Sequence, residues 1–319
     1  MANIEGALKD RWYYTVELDK GRYTNGFSFK NIAPTRRVLE GVDVKGRSLL
    51  DISTMEGMFS ILMSRRGGQV MATDSLDSTS RINLLKSVYG CRFDYIPNMP
   101  VKNFAEQMIA LQASKSFVPD RPLTPTEVTP YGFDVVLSSG LIYHVLNPID
   151  HLVTYRQLCK LGGLCIIESA VLLSDDIEMV HDWRGDSKAF GGNATWFVST
   201  RALEVFLKAC FFEPLAYAWV ESSNYGDRKL ARLAVVARAV EERPFSSDEH
   251  DIIKGSELYK NYDFKPLYPS AQIVGKVAQP VQINTENLLT ASNMRGSAIL
   301  NTKPMDIPEK YLTLSLDDA

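Results

Sequence analysis

The chain has 319 residues, 45% hydrophobic and 23% charged, enough for two domains or for one domain with sizeable additions, and this balance excludes disordered, fibrous and collagen-like classes. A formal net charge of −3 and a pI near 5.9 leave no global basic field of the kind that draws a protein to phosphate backbones. No run approaches the roughly 18 apolar residues of a membrane span, so neither nucleic acid nor membrane is an expected partner.

The first residues, MANIEGALKDRWYY, hold no apolar signal core, and Cys91, Cys159, Cys165 and Cys210 form no C-x-x-C pair. A cytoplasmic protein without a disulfide scaffold is expected. Residues 1–46 read as a helical and aromatic cap. From about 47 to 240, short apolar strands alternate with longer amphipathic stretches. SLLDIS (48–53) is a compact strand, followed by a helix from Glu56 to Arg66 with Met58, Phe59, Ile61, Leu62 and Met63 on a wide apolar face. QVMATD (69–74) is a second strand, and Ile82, Leu84, Leu85 and Val88 mark a second helix. FDYIP (93–97) is a third strand.

Residues 98–130 carry five prolines and predict a short helix around 103–115, then an extended loop. FDVVLSS (133–139) is apolar on both faces, as a strand in the middle of a covered parallel sheet should be. A helix over 147–161 follows, with Pro148 in its first turn. A Gly-Gly turn then opens the strand 162–171, a helix covers 200–212, and two last strands are joined by SSNYGDRK. This order predicts an α/β fold with a Rossmann-like, doubly wound, mostly parallel sheet over 47–240. The irregular extension 241–319 has two open readings. One is a partly disordered tail. The other is an ordered arm that wraps the core, lids the site or makes a homo-oligomer contact, supported by Tyr259, Tyr262, Phe264, Tyr268, Ile273 and Tyr311.

Ligands of a doubly wound sheet bind beyond the carboxyl ends of its strands. The turn after the first strand runs from Asp51 to Gly57, and Asp74 ends the second strand 23 positions after Asp51, the place of an acidic ribose ligand. The glycine pattern itself is eroded, with Ser53, Met55 and Gly57 at the three alternate positions. Other candidates lie on the same edge. His144 suits base work, Glu168 could hold an amine, and Asn193 and Arg201 could grip a carboxylate. Trp12, Tyr13, Tyr14, Tyr143 and Trp196 offer an aromatic wall for a cationic centre. No metal site is expected, because His151, His181 and His250 show no ligand spacing.

LLDISTMEGMFSILMSRRGGQVMATD resembles the first two motifs of class I S-adenosylmethionine-dependent methyltransferases, in the variant whose turn reads D-x-G-T-x-[DE]-G. FDVVLSSGLIYHVLNPIDHL resembles their fourth motif, and LGGLCIIES the strand after it. WYYTVEL, SGLIYHVLNP and GNATWFVSTRALEVFLKACFF are similar to the branch holding the bacterial tRNA wobble-uridine carboxymethyltransferases and stand-alone relatives that act on small molecules. The resemblance spans about residues 11–240. It implies S-adenosylmethionine as cofactor and 47–240 as the domain that binds it, with Asp51, Ser53, Thr54 and Gly57 around the methionine part. It further implies Asp74, with Ser75 beside it, on the ribose, Asn98 and Met99 at the adenine, and Ser138, Ser139 and Gly140 near the sulfonium. In the carboxymethyltransferases basic residues follow the Tyr-His pair, whereas Val145 follows Tyr143 and His144 here, favouring the ordinary cofactor. The expected activity is methyl transfer to a small acceptor, amino-acid-like or an organic acid, with a thioether such as methionine included. His144, Tyr143 and Glu168 are the catalytic candidates. A tRNA-modifying enzyme and a catalytically inactive partner subunit are the alternatives.

Overall fold

The computed structural model describes residues 4–27, 29–114, 132–182, 194–245, 276–294 and 296–318. Strands and helices follow in chain order. The cap holds α1 (Ile4–Ala7), β1 (Arg11–Tyr14), β2 (Glu17–Asp19), β3 (Arg22–Tyr23), β4 (Asn25–Phe27) and α2 (Ala33–Gly41). Then come β5 (Ser48–Ile52), α3 (Met58–Arg65), β6 (Gln69–Thr73), α4 (Thr79–Tyr89), β7 (Asp94–Ile96) and α5 (Val101–Ser114). The second half contains β8 (Phe133–Ser139), α6 (Pro148–Leu158), β9 (Cys159–Leu172), β10 (Met179–His181), β11 (Trp196–Ser199), α7 (Thr200–Ala209), β12 (Phe212–Tyr225), β13 (Arg228–Ala239) and β14 (Leu289–Thr290).

The main sheet has the order β14-β12-β13-β9-β8-β5-β6-β7. β7, β6, β5, β8 and β9 are mutually parallel, and the β12–β13 hairpin joins β9 antiparallel. The sheet is therefore mostly parallel and doubly wound, and the chain reverses its direction of winding between β5 and β8, where such sheets bind ligands. The period of two along the strands divides the interior. Leu49, Val135, Leu137 and Ile166 enter one apolar layer, whereas Leu50, Val136, Cys165 and Ile167 enter the other. This is why β8 reads as a nearly unbroken apolar run.

One expectation is corrected. The glycine pair does not precede the fifth parallel strand. β9 begins at Cys159 and carries Gly162 and Gly163 inside it, where the β8 register shifts. A Cβ on Gly163 would lie 2.7 Å from the carbonyl oxygen of Asp134, so the glycine permits close strand approach. β10 and β11 form a short antiparallel pair that no long alternating run announces. In the extension, the described part is an ordered arm. Val277, Val281, Met294, Ile299, Tyr311 and Leu314 are buried, and Leu314 bridges to Val16 in the cap. Tyr259, Tyr262, Phe264, Tyr268, Ile273 and the 116–130 loop lie outside the described residues. No helix among the described residues is long and apolar enough to cross a membrane.

Candidate active site

The turn after β5 keeps the backbone shape that its residue types disfavour. Ser53, Met55 and Gly57 all have positive φ, at 57°, 54° and 81°. These are the three positions where a glycine-rich turn carries glycines, so the left-handed geometry persists with only one glycine left. Each non-glycine there costs on the order of 1–2 kcal/mol. The surroundings hold it: the Ser53 N–H donates to the carbonyl of Thr73 at 2.8 Å, and the Met55 N–H to Asp74 Oδ2 at 2.8 Å. Asp51, buried beneath the turn, accepts from Thr54 Oγ1 at 2.7 Å and Ser60 Oγ at 2.6 Å. Burial pushes its carboxyl up to about 6, the Ser60 and Thr54 hydroxyls opposing and Asp74 adding.

Asp74 is 3% exposed at the end of β6. Its second oxygen accepts the Leu76 N–H at 2.9 Å. Two backbone donors use about half of the four lone-pair sites of a carboxylate, which leaves acceptor capacity for two further hydroxyls. The Met99 N–H donates to the Asp74 carbonyl at 2.7 Å and the Asn98 N–H to that of Leu76 at 3.4 Å, so the loops after β6 and β7 sit together. Ser75 and Asn98 are exposed and Met99 is half-buried. The residues present thus fit an adenosyl group: a left-handed turn, a buried acid with spare acceptors, and a loop beside it.

Across the switch point lies a second cluster. Glu168, fully buried, takes two bonds of 2.6 Å from Arg232, through Nε and Nη2. Arg232 Nη1 donates to Tyr143 Oη at 2.9 Å, and the guanidinium carbon lies 4.8 Å from the Tyr143 ring centre. Ser139 Oγ bonds Thr35 Oγ1 at 2.8 Å and donates to Glu168 Oε2 at 3.4 Å. Gly140, at φ 79°, donates its N–H to the Glu168 carbonyl, and a Cβ on it would sit 3.7 Å from Arg232 Nη2. Burial raises the Tyr143 hydroxyl above its ordinary range, with Arg232 opposing and Glu168 adding. Tyr13 is also raised, by burial and then by Tyr143, with Arg232 opposing, and Tyr14 well above range by burial and then by Tyr13. The Tyr13 ring packs edge-on against Tyr14 at 4.7 Å and lies 5.9 Å from Phe27.

Some expected site residues are engaged elsewhere. Glu168 is no strand end: it lies within β9, neutralised by Arg232. Ser138 is fully buried and shares its hydroxyl with Tyr155 Oη at 2.8 Å. Trp12 faces the core, because alternation along β1 sends it opposite to Tyr13; its Nε1 donates to the Ala7 carbonyl at 2.8 Å. Arg201 pairs with Glu204 one turn along α7. His144 is exposed and stacks on Tyr143 at 4.0 Å. Trp196 pins the loop after β8, its Nε1 donating to the Leu146 carbonyl at 3.0 Å and its ring 4.3 Å from His181. Asn193 lies outside the described residues. Among the described residues, no group of three or more His, Cys, Asp or Glu is placed to hold a metal ion.

Four residues of the site escaped the sequence reading: Thr35, Glu56, Arg81 and Arg232. Arg232 left a signal, a single charge at the centre of the apolar strand KLARLAVVARAV, since arginine is almost never fully buried unless paired, and Glu56 stood at the acidic position of the first motif.

Sheet order, switch point and acidic strand end together define a nucleotide-type site on a methyltransferase-like sheet. A family model described as a methyltransferase domain matches residues 24–217, and the chain belongs to that family. Residues 24–217 therefore carry a methyltransferase domain. It is 31% identical over 112 residues to a tRNA U34 carboxymethyltransferase from Shewanella denitrificans, covering 34% of this chain and 32% of that one. With the enzyme of that name from Ectopseudomonas mendocina it is 25% identical over 199 residues, covering 61% and 53%. The chain thus spans between about a third and a half of these curated relatives. The solved N-terminal domain of EvdMO1, crystallised with S-adenosylhomocysteine and D-fucose, superposes with a TM-score of 0.50 at 17% identity over 75% of this chain and 97% of that one, a likeness of fold.

Proposed function

We propose that the protein transfers a methyl group from S-adenosylmethionine to a small molecule held between the aromatic arm and the carboxyl edge of the sheet. The observation that carries this reading is the closed cluster of Glu168, Arg232 and Tyr143 at this edge. Its guanidinium is buried and paired with Glu168, so it offers no cation to a phosphate backbone, which favours a small acceptor. Asp74 accepts the ribose hydroxyls, the turn 53–57 holds the methionine part, and Asn98 and Met99 border the adenine. The cofactor would supply an electrophilic methyl on a sulfonium, a positive charge that the Tyr143 ring would accommodate by cation–π attraction. Glu168 is locked by Arg232, and both Tyr13 and Tyr143 hold their protons tightly, so the cluster orients an acceptor rather than deprotonating it. That matches a nucleophile already free of an acidic proton, such as a thioether or a carboxylate.

The tRNA reading is favoured by the names of the curated relatives, and one experiment separates the two. Labelled methyl from S-adenosylmethionine is offered to deproteinised metabolites and to bulk RNA at low and moderate salt. Label in metabolites, with weak salt dependence, is expected. Label in RNA that falls steeply with salt overturns the proposal.

Asp51 adds a pH test. Its folded pKa lies above the ordinary 3.8, so folding favours the protonated form. Stability is therefore lost as pH rises from about 4 to about 6, and no more is lost above that. A cationic cofactor beside the carboxylate reverses the preference, so affinity for S-adenosylmethionine should rise several-fold between about pH 5 and 7. Asp51→Asn should flatten this slope in calorimetric titrations. Equal slopes in the two proteins would remove Asp51 from the cofactor's surroundings.

A further inference from the structure

Glu56 sits between Met55, whose N–H is held by Asp74, and Gly57, the left-handed residue that opens α3. It is 2% exposed and accepts three backbone bonds from the arm, two from the Tyr13 N–H at 3.0 and 3.1 Å and one from the Tyr14 N–H at 3.1 Å. Arg81, on α4, completes the arrangement: Nη1 donates to Glu56 Oε1 at 2.6 Å and Nη2 to the Arg11 carbonyl at 2.8 Å. The same guanidinium lies 5.2 Å from the Trp12 ring centre. One carboxylate therefore stands where a neighbouring strand would otherwise satisfy the amides of β1. The turn that holds Asp74 and the arm that carries the aromatic wall are thus joined through a single residue.

We propose that Glu56 is a positioning residue that couples cofactor binding to the placement of Tyr13 and Tyr14, a role that rests on the site reading above and not on the identity of the acceptor. A cofactor held by Asp74 and the turn would stiffen the backbone on both sides of Glu56, and the arm with it. Linkage makes the effect reciprocal: an arm released from Glu56 weakens cofactor binding by the same factor that the cofactor orders the arm. Arg81 neutralises the buried carboxylate and ties α4 into the same unit.

The test uses the full chain and S-adenosylhomocysteine, a ligand that needs no acceptor. Hydrogen exchange of residues 11–14 is measured with and without the ligand, alongside calorimetry. In the wild type, saturation should slow exchange at Tyr13 and Tyr14. In Glu56→Ala, exchange of these amides should rise roughly ten-fold or more, affinity should fall by about three- to ten-fold, and the ligand should no longer protect the arm. β5 and β8 should exchange as in the wild type, which reports an intact sheet. Glu56→Gln keeps an acceptor oxygen and should restore part of the ligand-dependent protection, a rescue that a general loss of stability would not give. If Glu56→Ala keeps both the arm's protection and its response to ligand, the coupling is wrong. Ligand that binds without changing arm exchange in the wild type overturns it equally, while failure of the ligand to bind at all would instead remove the cofactor assignment of this edge.

Discussion

Replacing Asp74 by alanine should weaken S-adenosylhomocysteine binding by about two to four orders of magnitude while the protein stays folded. Two ribose hydroxyls on this buried carboxylate would make charge-assisted bonds worth roughly 1.5–3 kcal/mol each, so losing both costs about 3–6 kcal/mol. A second effect adds to the first. Asp74 Oδ2 holds the Met55 N–H, and Met55 is one of two non-glycine residues kept left-handed in the turn. Without that acceptor the turn relaxes toward ordinary backbone angles, and the site loses its shape as well as its ligand. The cost to folding should be small by comparison, because the carboxylate lies at the sheet's edge and the alanine leaves two backbone donors that water can reach. Calorimetric titration and a melting curve on the same sample check both halves. An affinity within three-fold of the wild type would take Asp74 out of the cofactor site; a collapse of the fold would make it a structural residue.

How far the sequence foretold this site depends on what kind of signal each residue leaves. β8 was legible to the residue, since a strand covered on both faces must be apolar throughout. The nucleotide turn was legible as a place and obscure as a shape: nothing in the residues Ser53 and Met55 announces positive φ, which comes from bonds to Thr73 and Asp74. Tyr13 and Trp12 were named together as one wall, but the two-residue period of β1 sends them to opposite sides. Glu56 stood inside the recognised motif with no assigned role, because its partners Tyr13 and Tyr14 lie 43 and 42 positions away. Glu168 was placed correctly on the edge that carries Ser139, its register partner, but its charge balance depends on a strand 64 residues further along the chain. Pairings across that distance have no local pattern to betray them.

Arg232→Met should be the most destabilising single change at the site. It leaves Glu168, fully buried, without the two 2.6 Å bonds that balance its charge, and removing one partner of a buried pair costs roughly 3–5 kcal/mol. For a domain of this size each kcal/mol lowers the melting temperature by about 2–4 °C, so a fall of roughly 6–20 °C is expected. The pair itself is a different matter. Exchanging both charges for neutral groups of similar shape is often close to neutral, so Arg232→Met combined with Glu168→Gln should recover most of the lost stability. Activity should not return with it. The guanidinium also donates to Tyr143 Oη and stacks on its ring, and no methionine replaces the donor that fixes where that hydroxyl points. Melting curves of the two single variants and the double variant give the coupling energy, and methyl transfer by the double variant separates stability from function. A double variant that is stable and fully active would reduce the cluster to packing. One that is stable and inactive would show that the buried charge is retained to orient Tyr143 beside the acceptor, at the expense of a more stable apolar core.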